Sequence, residues 1–302
     1  MKASNMKAMV LAAGLGTRLR PLTDNRPKAL VEVGGRALLE ITLSRLRTFG
    51  ISEVIVNVHY FADMVIDYLK SKKNLDMRIE VSREDVLLDT GGGLKKAAWF
   101  FLEDPSRLDE PFLLHNVDVI STIDFHRMLQ FHTENHALAT LAVQSRQSSR
   151  LLLFNNQLQL RGRRAGGTAN PGCATQITAT QKQFVSKREN PQIAPDSGSS
   201  RAGLPVTENV QSSTGSLPEV SQDSSRSLHA LAFCGIHIIS PRLLPMIAEE
   251  GTFSIIPTYV RLSAQGRNIL AFRADDYYWR DLGRPADLAE AAHDLKQRAL
   301  WQ

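Results

Sequence analysis

A basic, glycine-containing segment follows the first apolar stretch of the chain, at residues 11–30, "LAAGLGTRLRPLTDNRPKAL". Arg18 offers a fork of N–H donors that matches phosphate oxygens, and Lys28 adds a point charge. Small residues let backbone N–H groups approach an anion closely; in this segment they are Ala12, Ala13, Gly14 and Gly16. The segment therefore predicts a site for a phosphate-rich ligand, the alternative being a glycine turn with solvated basic side chains.

Two common phosphate-binding loops do not fit this segment. A Walker loop ends in Gly-Lys-Ser/Thr, and residues 11–30 contain no such sequence. The dinucleotide fingerprint needs a third glycine at position 19, where this chain has Leu19. The second strand also lacks a suitable acidic residue at its end, which argues against an NAD-dependent oxidoreductase. What remains is a strand, the sequence GxGTR, and a lysine that follows ten residues after Arg18.

The first half of the chain alternates apolar and amphipathic patterns. The apolar patterns predict strands, and the 3.6-residue patterns predict helices, the last of them opened by glycines. The predicted strands are 7–13, 53–59, 77–82 and 111–118, and the predicted helices are 37–50, 61–74 and 93–102. Strands that alternate with helices of this length form βαβ units. We therefore expect an α/β fold, Rossmann-like, with a mainly parallel mixed sheet between helices.

The second half is less regular. Two consecutive strands are expected at 138–143 and 150–156, a third at 228–240, and helices near 255–265 and 285–300. Between them, residues 168–226 are rich in Ser, Thr, Pro, Gln and Gly. Such a composition buries too little apolar surface to offset the entropy of ordering, so this segment is predicted to be a disordered insertion within a single domain of residues 1–302.

Composition excludes several classes of protein. The 302 residues carry 36 basic and 31 acidic side chains, a net charge of +5, without the interleaved aromatics of a nucleic-acid groove. Two cysteines, Cys173 and Cys234, indicate neither a disulfide framework nor a zinc site. No apolar run reaches the roughly 18 residues that span a membrane. We expect a cytoplasmic monomer or homo-oligomer that binds neither nucleic acid nor membrane.

Several further motifs follow the first segment in order: "NVHYFADMV", "LLDTGGGLKKA", "HNVDVIS", "FCGIHIIS" and "YYWRDLGRPADLAEA". Together with "LAAGLGTRLRPLT" and "RPKALVEVGG", they resemble the sugar-1-phosphate nucleotidylyltransferases, also called nucleotide-sugar pyrophosphorylases. The resemblance covers most of the chain and is interrupted by 168–226. It implies the nucleotide-diphospho-sugar transferase fold. "TGGG", "SRLLLF" and "GTFSII" are similar to the subgroup that acts on N-acetylmuramate 1-phosphate, and bacterial mannose-1-phosphate guanylyltransferases are similar too.

The resemblance implies a reaction. A sugar 1-phosphate attacks the α-phosphorus of a nucleoside triphosphate and expels pyrophosphate, as in the synthesis of cell-wall or polysaccharide precursors. Arg18 is then expected to steady the leaving pyrophosphate, and Lys28 to contact the reacting phosphates. A Mg²⁺ ion is expected between the substrates, held by Asp118 at the end of a strand and by Asp281 in "WRDLG".

The resemblance also assigns binding residues. The nucleotide is expected over two segments, the first loop and "LLDTGGG", where Glu84 is a candidate acceptor for a base N–H. The predicted nucleotide-binding residues are Ala12, Ala13, Gly14, Gly16, Thr17, Glu84 and Gly92. Gly92 belongs to three consecutive glycines that permit close backbone approach at the start of a helix, the end that favours anions. Asn116 and Gly235 match positions that line the sugar pocket.

Two departures from the family pattern concern the sugar. Val117 stands where a glycine commonly precedes the metal aspartate, and no "EKP" segment occurs near 150–165. "TGGG" favours UTP with N-acetylmuramate 1-phosphate or a related sugar. The alternatives are a GTP-dependent mannose-1-phosphate or heptose-1-phosphate guanylyltransferase and, from another class, a non-catalytic regulatory protein that binds nucleotide sugars.

Overall fold

A computed structural model describes residues 6–164 and 227–298. The predicted insertion at 168–226 lies outside these residues. The strands of the described part, in chain order, are β1 (Ala8–Leu11), β2 (Glu32–Val33), β3 (Arg36–Ala37), β4 (Glu53–Val58), β5 (Arg78–Arg83), β6 (Phe112–Asn116), β7 (Val119–Ser121), β8 (Ala139–Gln144), β9 (Leu151–Phe154), β10 (Leu160–Arg164), β11 (His229–Ile239), β12 (Ile269–Arg273) and β13 (Trp279–Asp281).

Helices follow most of the parallel strands. They are α1 (Leu38–Thr48), α2 (Ala62–Ser71), α3 (Asp89–Lys96), α4 (Ala98–Leu102), α5 (Phe125–Glu134), α6 (Ile255–Ala264) and α7 (Pro285–Arg298). Within the described residues, none of these helices is both long and apolar enough to cross a membrane.

Nine of the described strands form one mixed sheet. Strands β5, β4, β1 and β6 run parallel in that order, and β11 pairs antiparallel with β6. The long strand β11 also pairs with β8 and β9, and β12 lies parallel to β8. Strands β7 and β13 form a separate antiparallel pair just beyond the end of β6. The prediction of a mainly parallel mixed sheet with helices is confirmed.

Side chains of the central strands alternate between two cores. On β1, Ala8 and Val10 point into the core covered by α1 and α2, whereas Met9 points into the core covered by α3, α4 and α6. All three side chains are fully buried. A parallel strand covered by helices on both faces reads as an unbroken apolar run, which explains why "AMVL" shows no alternation in the sequence.

The structure corrects one expectation about helices. The glycines of "TGGG" lie inside α3, which begins at Asp89 rather than at Gly93 and ends before a second short helix, α4. On α5, His132 is buried, and its Nδ1 lies 2.9 Å from Thr140 Oγ1. Burial lowers the pKa of His132 to about 4, so it packs as a neutral side chain.

The two chain ends that border 165–226 both lie next to β9. In the register of the sheet, Arg164 faces Leu151, and His229 faces Phe154. Three residues along a strand and two strand spacings separate them by about 14 Å. A flexible linker of twelve residues has a root-mean-square span of roughly 19 Å, so it closes this gap without strain.

We therefore expect that replacing residues 170–225 with twelve Gly/Ser residues leaves the domain folded. Loop-closure entropy changes slowly with length, so the free energy of unfolding should shift by no more than about 1 kcal/mol. Urea denaturation of the two proteins measures this shift, with an equally long scrambled 170–225 segment as the control. An insoluble shortened protein beside a soluble scrambled one would show that the segment contributes to the domain.

Candidate active site

A cavity of about 460 Å³ opens at the carboxyl ends of β1 and β6. Most of the residues predicted from the sequence line it. These are Ala12, Ala13, Gly14, Gly16, Thr17, Arg18, Lys28, Asn116 and Asp118. Because the carboxyl ends of neighbouring parallel strands meet at one edge of a sheet, the loops that follow β1 and β6 share this space.

The loop after β1 turns sharply at Gly16, whose φ is +64°. A Cβ at this position would lie 2.9 Å from Thr23 Cγ2 and 3.1 Å from Lys28 Cβ. The Gly16 carbonyl accepts hydrogen bonds from Thr23 Oγ1 at 2.9 Å and from Leu19 N at 2.8 Å. Glycine is therefore required here by both its dihedral angle and its close neighbours, and the turn brings Lys28 against the loop.

Lys28 pairs with Asp118 on the floor of the cavity. Lys28 Nζ donates a short hydrogen bond to Asp118 Oδ2, and both side chains are largely buried. A buried charge without a partner is strongly unfavourable, so each group stabilises the other in this place. The lysine and the first predicted metal aspartate thus adjoin one another.

Asp281 approaches Asp118 from the neighbouring strand pair. On β13 it faces Val119 of β7, and Leu282 N donates to the Asp118 carbonyl at 2.8 Å. Burial raises the pKa of Asp281, the Asp118 carboxylate raises it further, and Lys28 and Arg18 lower it. The two predicted metal aspartates therefore lie close enough for their charges to interact.

One oxygen of Asp281 is left without a donor. Among the described residues no hydrogen-bond partner reaches Asp281 Oδ1, which is buried. A Cβ at Gly283, a residue of the cavity wall, would lie 2.6 Å from this oxygen and 2.6 Å from Arg18 Nη2. Arg18 and Asp281 thus border the same glycine. Arg18, Lys28 and Asp118 line the cavity, and Asp281 adjoins its wall at Gly283 without lining it.

The wall at Asn116 is built against the bulge of β11. Gly235 lies in that bulge with φ +73°, and a Cβ there would lie 2.8 Å from Asn116 Nδ2. Gly235 therefore supports Asn116 from behind and is buried. Next to it, Trp279 Nε1 donates to the Cys234 carbonyl at 2.7 Å, and the Arg146 guanidinium stacks 3.7 Å from the Trp279 ring centroid.

Glu84 lies behind the cavity wall, which corrects its expected role. The side chain is buried at 2% exposure, and its Oε1 accepts a hydrogen bond from Asn57 Nδ2 at 2.7 Å. Its Oε2 accepts from Leu88 N at 2.9 Å. Asn57, not Glu84, reaches the cavity. The burial of the carboxylate makes Glu84 a support for the wall rather than a contact for a base.

Gly92 also has a different environment from the one expected. Its N–H donates to the Phe253 carbonyl at 3.2 Å, as does that of Gly91 at 2.9 Å. A Cβ at Gly92 would lie 2.5 Å from the Gly251 carbonyl oxygen, and one at Gly91 would lie 2.3 Å from the Phe253 ring. The glycines of α3 therefore seat the segment 251–253, and their amide groups serve that segment rather than a ligand.

Several residues of the cavity wall were not predicted from the sequence. They are Leu11, Asn57, Leu87, Asp89, Thr90, Val117, Arg150, Thr252 and Gly283. Asn57 could have been identified from the sequence as a candidate site residue, since an amide inside the apolar run of a parallel strand is unusual. Asp89 carried none, although its φ of +58° marks a tight turn at the start of α3. Thr252 reaches the wall because Phe253 docks on α3, which no local pattern reveals.

Within the described residues, no group of three or more His, Cys, Asp or Glu side chains could hold a metal ion by itself. The arrangement consists of two carboxylates, two cations and a loop with small residues. Chemically, it suits two phosphate-bearing molecules that must be brought together.

Comparison with known proteins agrees with this description. Residues 7–151 match the nucleotidyl transferase family. These residues contain strands β1 to β8, the first residue of β9 and most of the cavity wall.

Two curated relatives are similar over part of the chain. N-acetylmuramate α-1-phosphate uridylyltransferase of Caulobacter vibrioides is 54% identical over 101 residues, which are 32% of this chain and 42% of that protein. Mannose-1-phosphate guanyltransferase of Emericella nidulans is 36% identical over 139 residues, 46% of this chain and 37% of that protein. The chain thus matches less than half the length of these relatives.

Solved structures share the fold over a larger span. HddC from Yersinia pseudotuberculosis, complexed with GMP-PN, superposes with a TM-score of 0.63 at 17% identity, covering 96% of this chain and 99% of that one. A UDP-glucose pyrophosphorylase complexed with UDP-glucose superposes with a TM-score of 0.65 at 14% identity, covering 97% and 99%. The chain therefore has the nucleotide-diphospho-sugar transferase fold.

The contacts of Gly92 generate a prediction. In Gly92→Ala, the new methyl group meets a backbone oxygen that cannot rotate away, so the 251–253 segment must shift. We expect the free energy of unfolding to fall by about 1–3 kcal/mol, the usual effect of overpacking. Urea denaturation measures it. Gly162→Ala is the matched control, because the nearest atom to a Cβ there is Leu153 Cδ1 at 3.9 Å. Unchanged stability of Gly92→Ala would show that Gly92 does not pack closely against the segment 251–253.

Proposed function

We propose that this protein transfers a nucleotidyl group from a nucleoside triphosphate to a sugar 1-phosphate. An oxygen of the sugar phosphate attacks the α-phosphorus, the bond to the bridging oxygen of the β-phosphate breaks, and pyrophosphate leaves with that electron pair. One observation carries the proposal: the loop 12–18 and the Lys28–Asp118 pair line a single cavity, Asp281 borders its wall at Gly283, and most of the cavity lies within the residues that match the nucleotidyl transferase family. The whole of 1–302 is proposed to act as one such domain.

The protein's own groups act by positioning and by charge. The backbone of Ala12 to Thr17 approaches the triphosphate closely, which these small residues allow. Arg18, exposed at the cavity mouth beside Gly283, is proposed to hold the departing pyrophosphate. Lys28, buried and oriented by Asp118, is proposed to contact the reacting phosphates. Fixed cations of this kind stabilise charge that develops in the transition state without rearranging.

The two aspartates fit a divalent metal ion. Among the described residues, no donor reaches one buried oxygen of Asp281, and a second carboxylate, Asp118, lies near enough for their charges to interact. Paired carboxylates repel one another unless a cation compensates them, and Lys28 engages one oxygen of Asp118. Mg²⁺ is commonly held by one or two carboxylates, with substrate phosphates and water completing its shell. When bound, Mg²⁺ would act as a Lewis acid on the phosphate oxygens.

Removal of this metal site should abolish turnover. We expect EDTA to stop pyrophosphate release and Mg²⁺ to restore it. Asp281→Asn should lower kcat by roughly 10²- to 10³-fold, because it removes a metal ligand. The same variant should keep or gain stability, since the buried carboxylate repels Asp118. Coupled pyrophosphate detection and thermal denaturation measure the two effects.

Asp276→Asn, at an exposed position, is the matched control and should behave as the original protein. Turnover that persists in EDTA, or an Asp281→Asn variant within threefold of the original kcat, would remove the metal assignment.

For the substrates, we propose UTP and N-acetylmuramate 1-phosphate, which would place the enzyme in the cytoplasm, where such precursors are made. The support is the 54% identity to the uridylyltransferase, against 36% to the mannose-1-phosphate guanyltransferase over a longer stretch. The alternatives are GTP with mannose 1-phosphate or heptose 1-phosphate. A third, a non-catalytic protein that binds nucleotide sugars, is disfavoured by the presence of Arg18, Lys28 and both aspartates.

The position of Arg150 supports the proposal that the sugar substrate is acidic. It lines the cavity and is exposed, and the hydrogen bonds of its backbone go to Ser148. In the described residues its guanidinium engages neither a carboxylate nor a carbonyl group, so it is available to a ligand. N-acetylmuramate differs from N-acetylglucosamine by a lactyl ether that carries a carboxylate, and a guanidinium binds carboxylates in a bidentate manner.

Substrate choice is measured by kcat/KM over UTP, GTP, CTP and dTTP combined with N-acetylmuramate, N-acetylglucosamine and mannose 1-phosphates. We expect UTP with N-acetylmuramate 1-phosphate to be preferred. Arg150→Gln should raise KM for that sugar about tenfold, while KM for N-acetylglucosamine 1-phosphate changes less than twofold. Arg163→Gln, on the exposed part of β10, is the control.

A tenfold preference for GTP would reject the uridylyl assignment and leave the reaction class intact. Absence of pyrophosphate release with every pair of substrates would favour the non-catalytic alternative.

A further inference from the structure

A buried chain of hydrogen bonds connects two walls of the cavity. It begins at Ala12 N, which donates to Asn57 Oδ1 at 2.8 Å. Asn57 Nδ2 then donates to Glu84 Oε1 at 2.7 Å, and Glu84 Oε2 accepts from Leu88 N at 2.9 Å. The chain thus runs from the phosphate loop after β1, through the ends of β4 and β5, to the turn that precedes α3.

The two side chains in the middle are deeply buried. Asn57 and Glu84 are each 2% exposed. Both carboxylate oxygens of Glu84 accept from N–H donors, and within the described residues Glu84 forms no ion pair. A buried carboxylate is strongly unfavourable unless hydrogen bonds compensate its lost hydration. The Asn57–Glu84 pair therefore depends on every one of its donors being present.

Gly93 supplies a second, independent observation. A Cβ at this position would lie 2.8 Å from Asn57 Nδ2 and 2.8 Å from Glu84 Oε1. Its φ is not in the left-handed region, so its dihedral angles do not require glycine. The third glycine of "TGGG" therefore makes room for the Asn57–Glu84 pair, which α3 covers from above.

Both ends of the chain reach the cavity. Ala12 lies on the wall formed by the phosphate loop, and Leu87, Asp89 and Thr90 lie on the wall beside the start of α3. Asn57 fixes the direction of the Ala12 N–H group by accepting its hydrogen bond. Glu84 fixes the turn at 87–90 by accepting from Leu88 N. Beyond the pairing of β1, β4 and β5, the two walls are therefore linked through a single buried side-chain pair.

We propose that Asn57 and Glu84 are positioning residues for the nucleoside triphosphate: their complementary hydrogen bond sets the spacing between the loop at 12–18 and the turn at 87–90. The inference rests on the proposed function in that the ligand is a nucleoside triphosphate. It adds that nucleotide affinity depends on the pair being complementary, one side chain donating to the other, whichever of the two is the donor.

Reversing the hydrogen bond between residues 57 and 84 tests whether the pair must be complementary. In Glu84→Gln, an NH₂ group faces either Asn57 Nδ2 or Leu88 N, so two donors meet. In Asn57→Asp, two carboxylates face one another. In the double variant Asn57→Asp/Glu84→Gln, the new aspartate accepts from Ala12 N and from the glutamine NH₂ group. The glutamine oxygen then accepts from Leu88 N, so every contact is restored and only the central hydrogen bond runs in the opposite direction.

Calorimetric titration with UTP and with GTP, without sugar phosphate, measures binding directly. We expect each single variant to lose at least tenfold in nucleotide affinity and the double variant to return to within about threefold of the original protein. KM for the sugar phosphate should change less than twofold in all three. Asn155→Asp, at a buried asparagine that follows β9 and does not line the cavity, controls for the general effect of the substitution.

The inference is overturned if a single variant binds nucleotide as the original protein does, or if the double variant binds or folds no better than the single ones. It is also overturned if KM for the sugar phosphate rises in step with the nucleotide Kd. These outcomes are separate from a failure of the proposed function: a protein that binds nucleotide with the expected pattern but forms no nucleotide sugar would reject the reaction and leave the positioning role standing.

Discussion

An ion pair between Lys28 and Asp118 closes the floor of the cavity and joins two segments that lie 90 residues apart in the chain. Neither charge is stable in this place alone, because burial removes most of its hydration. The segment that carries Lys28 is therefore held against the end of β6. The same contact fixes the turn at Gly16, whose missing Cβ leaves room for Lys28.

The second aspartate depends on the same region of the fold. Asp281 comes from β13, near the end of the described chain, and it reaches Asp118 because β13 pairs with β7 immediately after β6. Two carboxylates of like charge would not be stable together without the neighbouring cations, Lys28 and Arg18. The charges of the site therefore balance one another across three separate parts of the sequence.

The cavity wall beside α3 also depends on contacts between segments that are distant in the sequence. The glycines of α3 accept the segment 251–253 on one side and the Asn57–Glu84 pair on the other. Each of these contacts excludes a Cβ for a different reason: a backbone carbonyl at Gly92, an aromatic ring at Gly91 and a buried polar pair at Gly93. A run of glycines that appears suited to a ligand is thus explained by packing within the protein.

The sequence by itself determined the alternation of strands and helices, the loop of small residues at 12–18 and the residues Arg18, Lys28 and Asp118 that line the cavity. These are local properties, since small residues, cations and strand ends lie within short segments whose periodicity is visible. Only the tertiary structure decided the places of Glu84 and Gly92. Whether a carboxylate or an amide faces a ligand or another part of the chain depends on burial, and burial is set by segments, such as 251–253, that are distant in sequence and leave no local pattern.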